Sequence, residues 1–207
     1  MTKPLWGKAP AAIGKGSEDS QTIQASTTFA ESVAVTGGAF IKSLAVVGRA
    51  VYFKPGVHCV QQLAITDGSI VAESGSHLYL GLMSVAGGAV YFKPGVHYVR
   101  SLSITDGSIV VEPCSQLYLE SLTMTNGSIL VQSEAQIFLR SMSVTDGDIR
   151  IESGRGYLSS GVITGGSIES VEGGFMHLFP LDNPDFFETE WLSQEHGIAE
   201  LRSEEML

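Results

Sequence analysis

Gly68, Gly88, Gly107, Gly127, Gly147 and Gly166 each follow an Asp, an Asn or another Gly, and they are separated by 20, 19, 20, 20 and 19 residues. A chain that turns the same corner at so short and fixed an interval builds one coil per repeat and stacks the coils, each burying its apolar side against its neighbours. The octapeptide VYFKPGVH occurs at 51–58 and again at 90–97, which marks a duplicated two-coil unit of 39 residues. Full coils are read as 50–68, 69–88, 89–107, 108–127, 128–147 and 148–166, with a decayed coil at 167–179.

Within a coil the apolar residues alternate with period two, the spacing of strands rather than helices. In the fourth coil Ile109 and Val111 share one side, then Leu117 and Leu119, then Leu122 and Met124, so three short strands per coil are expected. The inward columns stay apolar from coil to coil: Val60, Leu80, Val99, Leu119, Leu139, Leu158, and Ile65, Val85, Ile104, Met124, Val144, Ile163. At ~4.8 Å per coil, equivalent residues become ladder neighbours. The expected fold is all-β, a single-stranded parallel β-helix (β-solenoid) over 50–179.

The flanks read differently. Residues 1–26 carry Pro, Gly and Ser without periodicity and are expected to form an N-terminal arm anchored by Trp6. Residues 27–49 align with the repeat but are too short for full coils, and read as an irregular lead-in or cap. Here Phe29 and Phe40 are aligned with Tyr118. Asn183-Pro184-Asp185 has the chemistry of a helix start, so 180–207 is expected to cap the solenoid with a helix at about 184–196 presenting Trp191.

Composition narrows the function. A net charge of −10 with no Lys/Arg cluster argues against a nucleic-acid partner. No apolar run is long enough for membrane insertion, and the N-terminus lacks the apolar segment of a signal peptide. The expected location is therefore the cytoplasm or a virion. Cys59 and Cys114 occupy different repeat positions and are expected to stay unpaired. No nucleophile, metal-protease or phosphate-loop motif is present, the corners are too short to frame a cleft, and neither enzyme nor cofactor is expected. His58, His77 and His97 fall near one corner of three successive coils and are weak metal candidates. The Asp67, Asp106, Asn126, Asp146 column reads as turn chemistry rather than a calcium site.

The outward columns are the candidate functional surfaces. One holds Cys59, Tyr79, Tyr98, Tyr118, Phe138 and Tyr157; another holds Tyr52, Val71, Tyr91, Val110 and Leu130, then Arg150. A solvated strand face is polar at alternate positions, so two apolar strips are expected to be covered by another subunit; self-stacking and a glycan platform are the competing readings. Ser103-x-Thr105, Thr123-x-Thr125 and Ser143-x-Thr145 give a hydroxylated face that reads as solvated. Arg100, Glu120 and Arg140 form an alternating charge column, and Glu73, Lys93 and Glu112 another.

The T-D-G-S-I-x-V and L-Y-L-x-S-L repeat resembles β-helical repeat proteins in general, and is somewhat similar to filamentous-haemagglutinin-type adhesins and to bactofilins, whose coils polymerise. A small capped β-helix with an arm also looks like phage spike, fibre or capsid-decorating subunits. What the resemblance implies is a structural virion component, a homo-oligomer (trimer favoured) that meets other structural proteins through its arm or C-terminal helix. A carbohydrate-binding or adhesive solenoid and a cytoskeletal polymer are the alternatives.

Overall fold

The computed structural model describes residues 11–13, 21–29, 32–171 and 173–178, with side chains from residue 32 onward. Over these residues eighteen strands form two nine-stranded sheets, every pairing between them parallel. One sheet is made of short strands, among them Ala50–Phe53, Ser69–Ala72, Ala89–Phe92, Ser108–Val111 and Ser128–Val131. The other is made of long strands, among them Gly56–Thr66, Ser76–Ala86, Val96–Thr105, Gln116–Thr125 and Gln136–Thr145. Each coil contributes one strand to each sheet, and sheet neighbours are successive coils. The fold is a parallel β-solenoid of about seven turns. Its core is the lumen, filled by the inward columns from Val33 to Leu158.

Three faces are present, but not as three separate strands. The second and third predicted strands are one continuous strand with a bend. In Gln116–Thr125, Leu117 and Leu119 are buried, then Leu122 and Met124, while Glu120 and Ser121 both lie outside. Two consecutive outward residues switch the parity of the alternation, which turns the strand without breaking it. The ladder skips Glu120 and Arg140 at this bend. The serine after the bend compensates: Ser141 Oγ donates to the Glu120 carbonyl and Ser160 Oγ to the Arg140 carbonyl, both at 3.1 Å.

The glycine-marked corner works in an unexpected way. The left-handed residue is the Asp or Asn before the glycine, with φ of 50°, 53°, 50° and 53° at Asp67, Asp106, Asn126 and Asp146. These types tolerate that conformation better than other non-glycine residues. The glycine itself is required by close approach: a Cβ on Gly127 would stand 2.7 Å from Ile104 Cγ2, and one on Gly147 3.0 Å from the Gly127 carbonyl oxygen. Turn backbone is paired between coils too, as in Asn126 N–H donating to the Thr145 carbonyl at 3.1 Å.

The opposite corner comes in two lengths. In the longer form the first corner carbonyl accepts a backbone N–H three residues on: Ser76 to Glu73 at 2.9 Å, Ser115 to Glu112 at 3.1 Å, Ala135 to Gln132 at 3.0 Å. The K-P-G corners of the duplicated octapeptide are one residue shorter and replace that donor with an imidazole. His58 Nε2 lies 2.8 Å from the Lys54 carbonyl, and His97 Nε2 3.1 Å from that of Lys93.

Two expectations at the N-terminal end are corrected. Ala11–Ile13 pairs with Val33–Val35, and Gln21–Phe29 pairs with Ala39–Val47, so both sheets reach into the stretch read as an arm. Val33–Val35 is a short strand in register with Val51–Phe53, not the third strand of a truncated coil. Phe29 pairs with Val46, outside the aromatic column, whereas Phe40 does pair with Cys59 as aligned. All faces share the same alternation, so a twelve-residue match could not say which face a strand belongs to. At the other end, Ser167–Val171 and Phe175–Leu178 make the last, partial coil. The expected capping helix at 184–196, with Trp191, and the anchor Trp6 lie outside the described residues.

Candidate interaction surface

The three histidines do not converge. His58 and His97 point into the lumen, fully buried, in the column they share with Leu78, Leu117 and Ile137. His77 pairs instead with Val57, one register position away. Among the described residues no group of three or more His, Cys, Asp or Glu is placed to hold a metal ion. The lumenal rings pack on Phe53 and Phe92, with centroids 5.3 and 4.9 Å apart. Among the described residues their Nδ1 atoms have no hydrogen-bond partner, nor do the buried hydroxyls of Ser76 and Ser115. A carbonyl can only accept, so each ring is the Nε2–H tautomer. Burial lowers the His58 pKa and lowers that of His97 to about 4, against the raising effect of the carbonyl hydrogen bond.

The aromatic column lies on the first half of the long-strand sheet. Tyr79, Tyr98, Tyr118, Phe138 and Tyr157 stack ring on ring, at 5.2, 4.7, 4.5 and 4.6 Å with interplanar angles of 13° or less. His177 extends the stack at 5.6 Å. Parallel ladders place like residues directly above one another, and the rings cover each other's faces. Tyr98 is only 9% exposed, and the other four are half-buried. Much of this strip is therefore satisfied within the chain.

At the bend Glu120 sits between Arg100 and Arg140, at 3.5 Å from each. These residues and Ser101, Ser121, Ser141 and Ser160 line a shallow groove of about 460 Å³. The exposed Cys114 thiol donates to Glu134 Oε2 at 3.3 Å, and that bond pushes its pKa up, away from the reactive thiolate. On the third face Ser103, Thr105, Thr123, Thr125, Ser143 and Thr145 are all exposed, as expected of a solvated surface.

The short-strand sheet presents the other apolar column. Ala34, Tyr52, Val71, Tyr91, Val110 and Leu130 are successive ladder partners, followed by Arg150. Tyr52 and Tyr91 are each 36% exposed, and Val71, Val110 and Leu130 are half-buried. Among the described residues no ring stack covers this strip: the smaller side chains between the tyrosines hold them two coils apart. Beside it runs the charge column Lys54, Glu73, Lys93, Glu112, with Lys54 and Glu73 in an ion pair at 2.5 Å. On the other side Ala50, Ser69, Ala89, Ser108 and Ser128 are small enough for close approach of a partner.

Comparison of the chain with protein-family models, with curated proteins and with solved structures found no match.

Proposed function

We propose that this chain is a non-enzymatic structural subunit that self-associates through its short-strand sheet, as part of a larger assembly such as a phage particle. The observation that carries the reading is the apolar column Tyr52, Val71, Tyr91, Val110, Leu130, an unbroken ladder on the outer side of a parallel sheet in which both tyrosines are 36% exposed. Exposed contiguous apolar strips of this kind are interface surfaces. The self-stacked aromatic column competes less well for that role, because neighbours in the chain already cover its ring faces.

The test is a pair of variants followed by sedimentation velocity. Tyr91→Glu with Leu130→Glu places two carboxylates in the strip and should abolish self-association while leaving the melting temperature within a few degrees of the parent. Tyr118→Glu should instead lower the melting temperature. Self-association that survives the first variant removes this face as the contact.

A glycan-binding solenoid is the second reading, favoured by the stacked tyrosines beside the Arg100–Glu120–Arg140 groove. Sugar rings pack on exposed aromatic faces, and here those faces are occupied by one another, so this reading ranks behind self-association.

A further inference from the structure

The outward columns of the short-strand sheet alternate in size and in charge with the same two-coil period. Tyr52 and Tyr91 alternate with Val71 and Val110, and Lys54 and Lys93 alternate with Glu73 and Glu112. A surface with that period fits a reversed copy of itself. Consider a two-fold axis parallel to the strands, passing between the coil of Val71 and the coil of Tyr91. Each column then faces its own equivalent on the second copy, read in the opposite direction. Val71 meets Tyr91, and Tyr52 meets Val110. In the charge column Glu73 meets Lys93, and Lys54 meets Glu112. The size complement extends one coil further, where the small Ala34 meets Leu130.

We infer that two copies of this chain pair face to face through the short-strand sheet with their solenoid axes antiparallel. This inference rests on the reading of the chain as a self-associating subunit and names its symmetry. Every tyrosine in the contact projects over a valine, and every lysine faces a glutamate. The parallel two-fold arrangement does neither: it sets Tyr52 against Tyr52 and Tyr91 against Tyr91, and the charge column against the Ala/Ser column. The chain as a whole carries a charge of −10, yet Lys54, Glu73, Lys93 and Glu112 sum to zero, so the contact escapes the repulsion that the rest of the molecule imposes. An isologous contact needs this self-complementarity.

Six coils at ~4.8 Å and a face three outward columns wide bury roughly 1,000 Å² over both copies. That is at the lower edge of specific interfaces, so the pairing is concentration-dependent.

The test uses two charge-reversal variants of the full chain, Glu73→Lys and Lys93→Glu, and native mass spectrometry. Each variant alone sets like charges opposite at both Glu73–Lys93 contacts and should be at least tenfold weaker in self-association than the parent. Mixed in equal amounts, they regain both contacts, and a heterodimer should form with close to the parent's affinity. Effects inside a single chain cannot produce that rescue, because each chain keeps its own substitution. Circular dichroism of each variant establishes that it is folded; should either fail to fold, Glu112→Lys and Lys54→Glu form the equivalent pair. Self-association without heterodimer rescue, or a trimer in the parent, overturns the antiparallel pairing and leaves self-association standing. A parent that is monomeric at every concentration overturns both.

Discussion

His97 Nε2 lies 3.1 Å from the Lys93 carbonyl oxygen and donates to it, in the place a backbone N–H fills in the longer corners. One imidazole thus substitutes for one residue of chain. This accounts for the 19-residue coils of the duplicated octapeptide: the shortened K-P-G corner lacks a donor, and the histidine four residues on supplies it from within the lumen. The same relation holds between His58 and Lys54 at 2.8 Å.

Removing the ring should therefore be costly in proportion to what replaces it. His97→Ala leaves the Lys93 carbonyl without its donor and opens a cavity beside Phe92, a loss of ~2–4 kcal/mol. His97→Leu restores the apolar fill that Leu78 and Leu117 provide in adjacent coils and should lose only ~1–2 kcal/mol. Urea unfolding of the two variants checks the order.

The buried histidines also set an acid dependence. The His97 pKa lies near 4 in the folded chain, against about 6.5 when unfolded. Between those values the unfolded chain binds more protons, so stability falls as pH drops from about 6.5 towards 4 and is fully present above 6.5. The slope is at most ~1.4 kcal/mol per pH unit for this one group. His58 acts in the same direction. A double His58→Leu, His97→Leu variant should show a shallower loss of stability between pH 6.5 and 4.5 in denaturant titrations. An unchanged slope would assign the acid sensitivity to carboxylates.

At the glycine corner the usual substitution rules are reversed within one dipeptide. Asn126→Gly removes the cost of a left-handed side-chain residue and should change stability by less than ~1 kcal/mol. Gly127→Ala drives a methyl group to 2.7 Å from Ile104 Cγ2 and 3.1 Å from the Gly107 carbonyl oxygen, and should lose ~1–3 kcal/mol. Thermal melts of the two single variants separate the roles.

Much of this architecture was legible from the chain alone. Period and parity placed the inward columns correctly as far as Leu158, whereas Ile163, read as the end of one of them, is 36% exposed at the last coil. The aromatic and charge columns emerged with them, because a parallel ladder converts sequence offset directly into spatial contact. Four things were not legible. The continuity of the long strand through Glu120 and Ser121 was hidden, since a parity switch reads the same whether the strand bends or ends. The inward direction of His58 and His97 depends on a one-residue deletion whose position within the corner the pattern does not fix. The N-terminal register was misread because Thr27–Gly38 matches Gln116–Gly127 in alternation, while Val33–Val35 in fact pairs with Val51–Phe53. Which apolar strip remains open was also beyond the pattern: like rings in one column stack and cover each other, whereas alternating Tyr and Val do not.

The stack itself makes a prediction. Tyr118 lies between Tyr98 and Phe138 at 4.7 and 4.5 Å. Tyr118→Ala should destabilise the isolated chain by ~1–3 kcal/mol, the combined loss of two ring contacts and their covered area. Chemical unfolding at a concentration where the chain is monomeric checks this without interference from assembly.

The most direct measurement of the central claim is the mass of the full-length chain in solution by light scattering, followed across at least a hundredfold range of concentration. The account predicts a rise from the 22.0 kDa of one chain towards twice that value, with the rise absent in the Tyr91→Glu, Leu130→Glu variant. A constant single-chain mass over the whole range would contradict it.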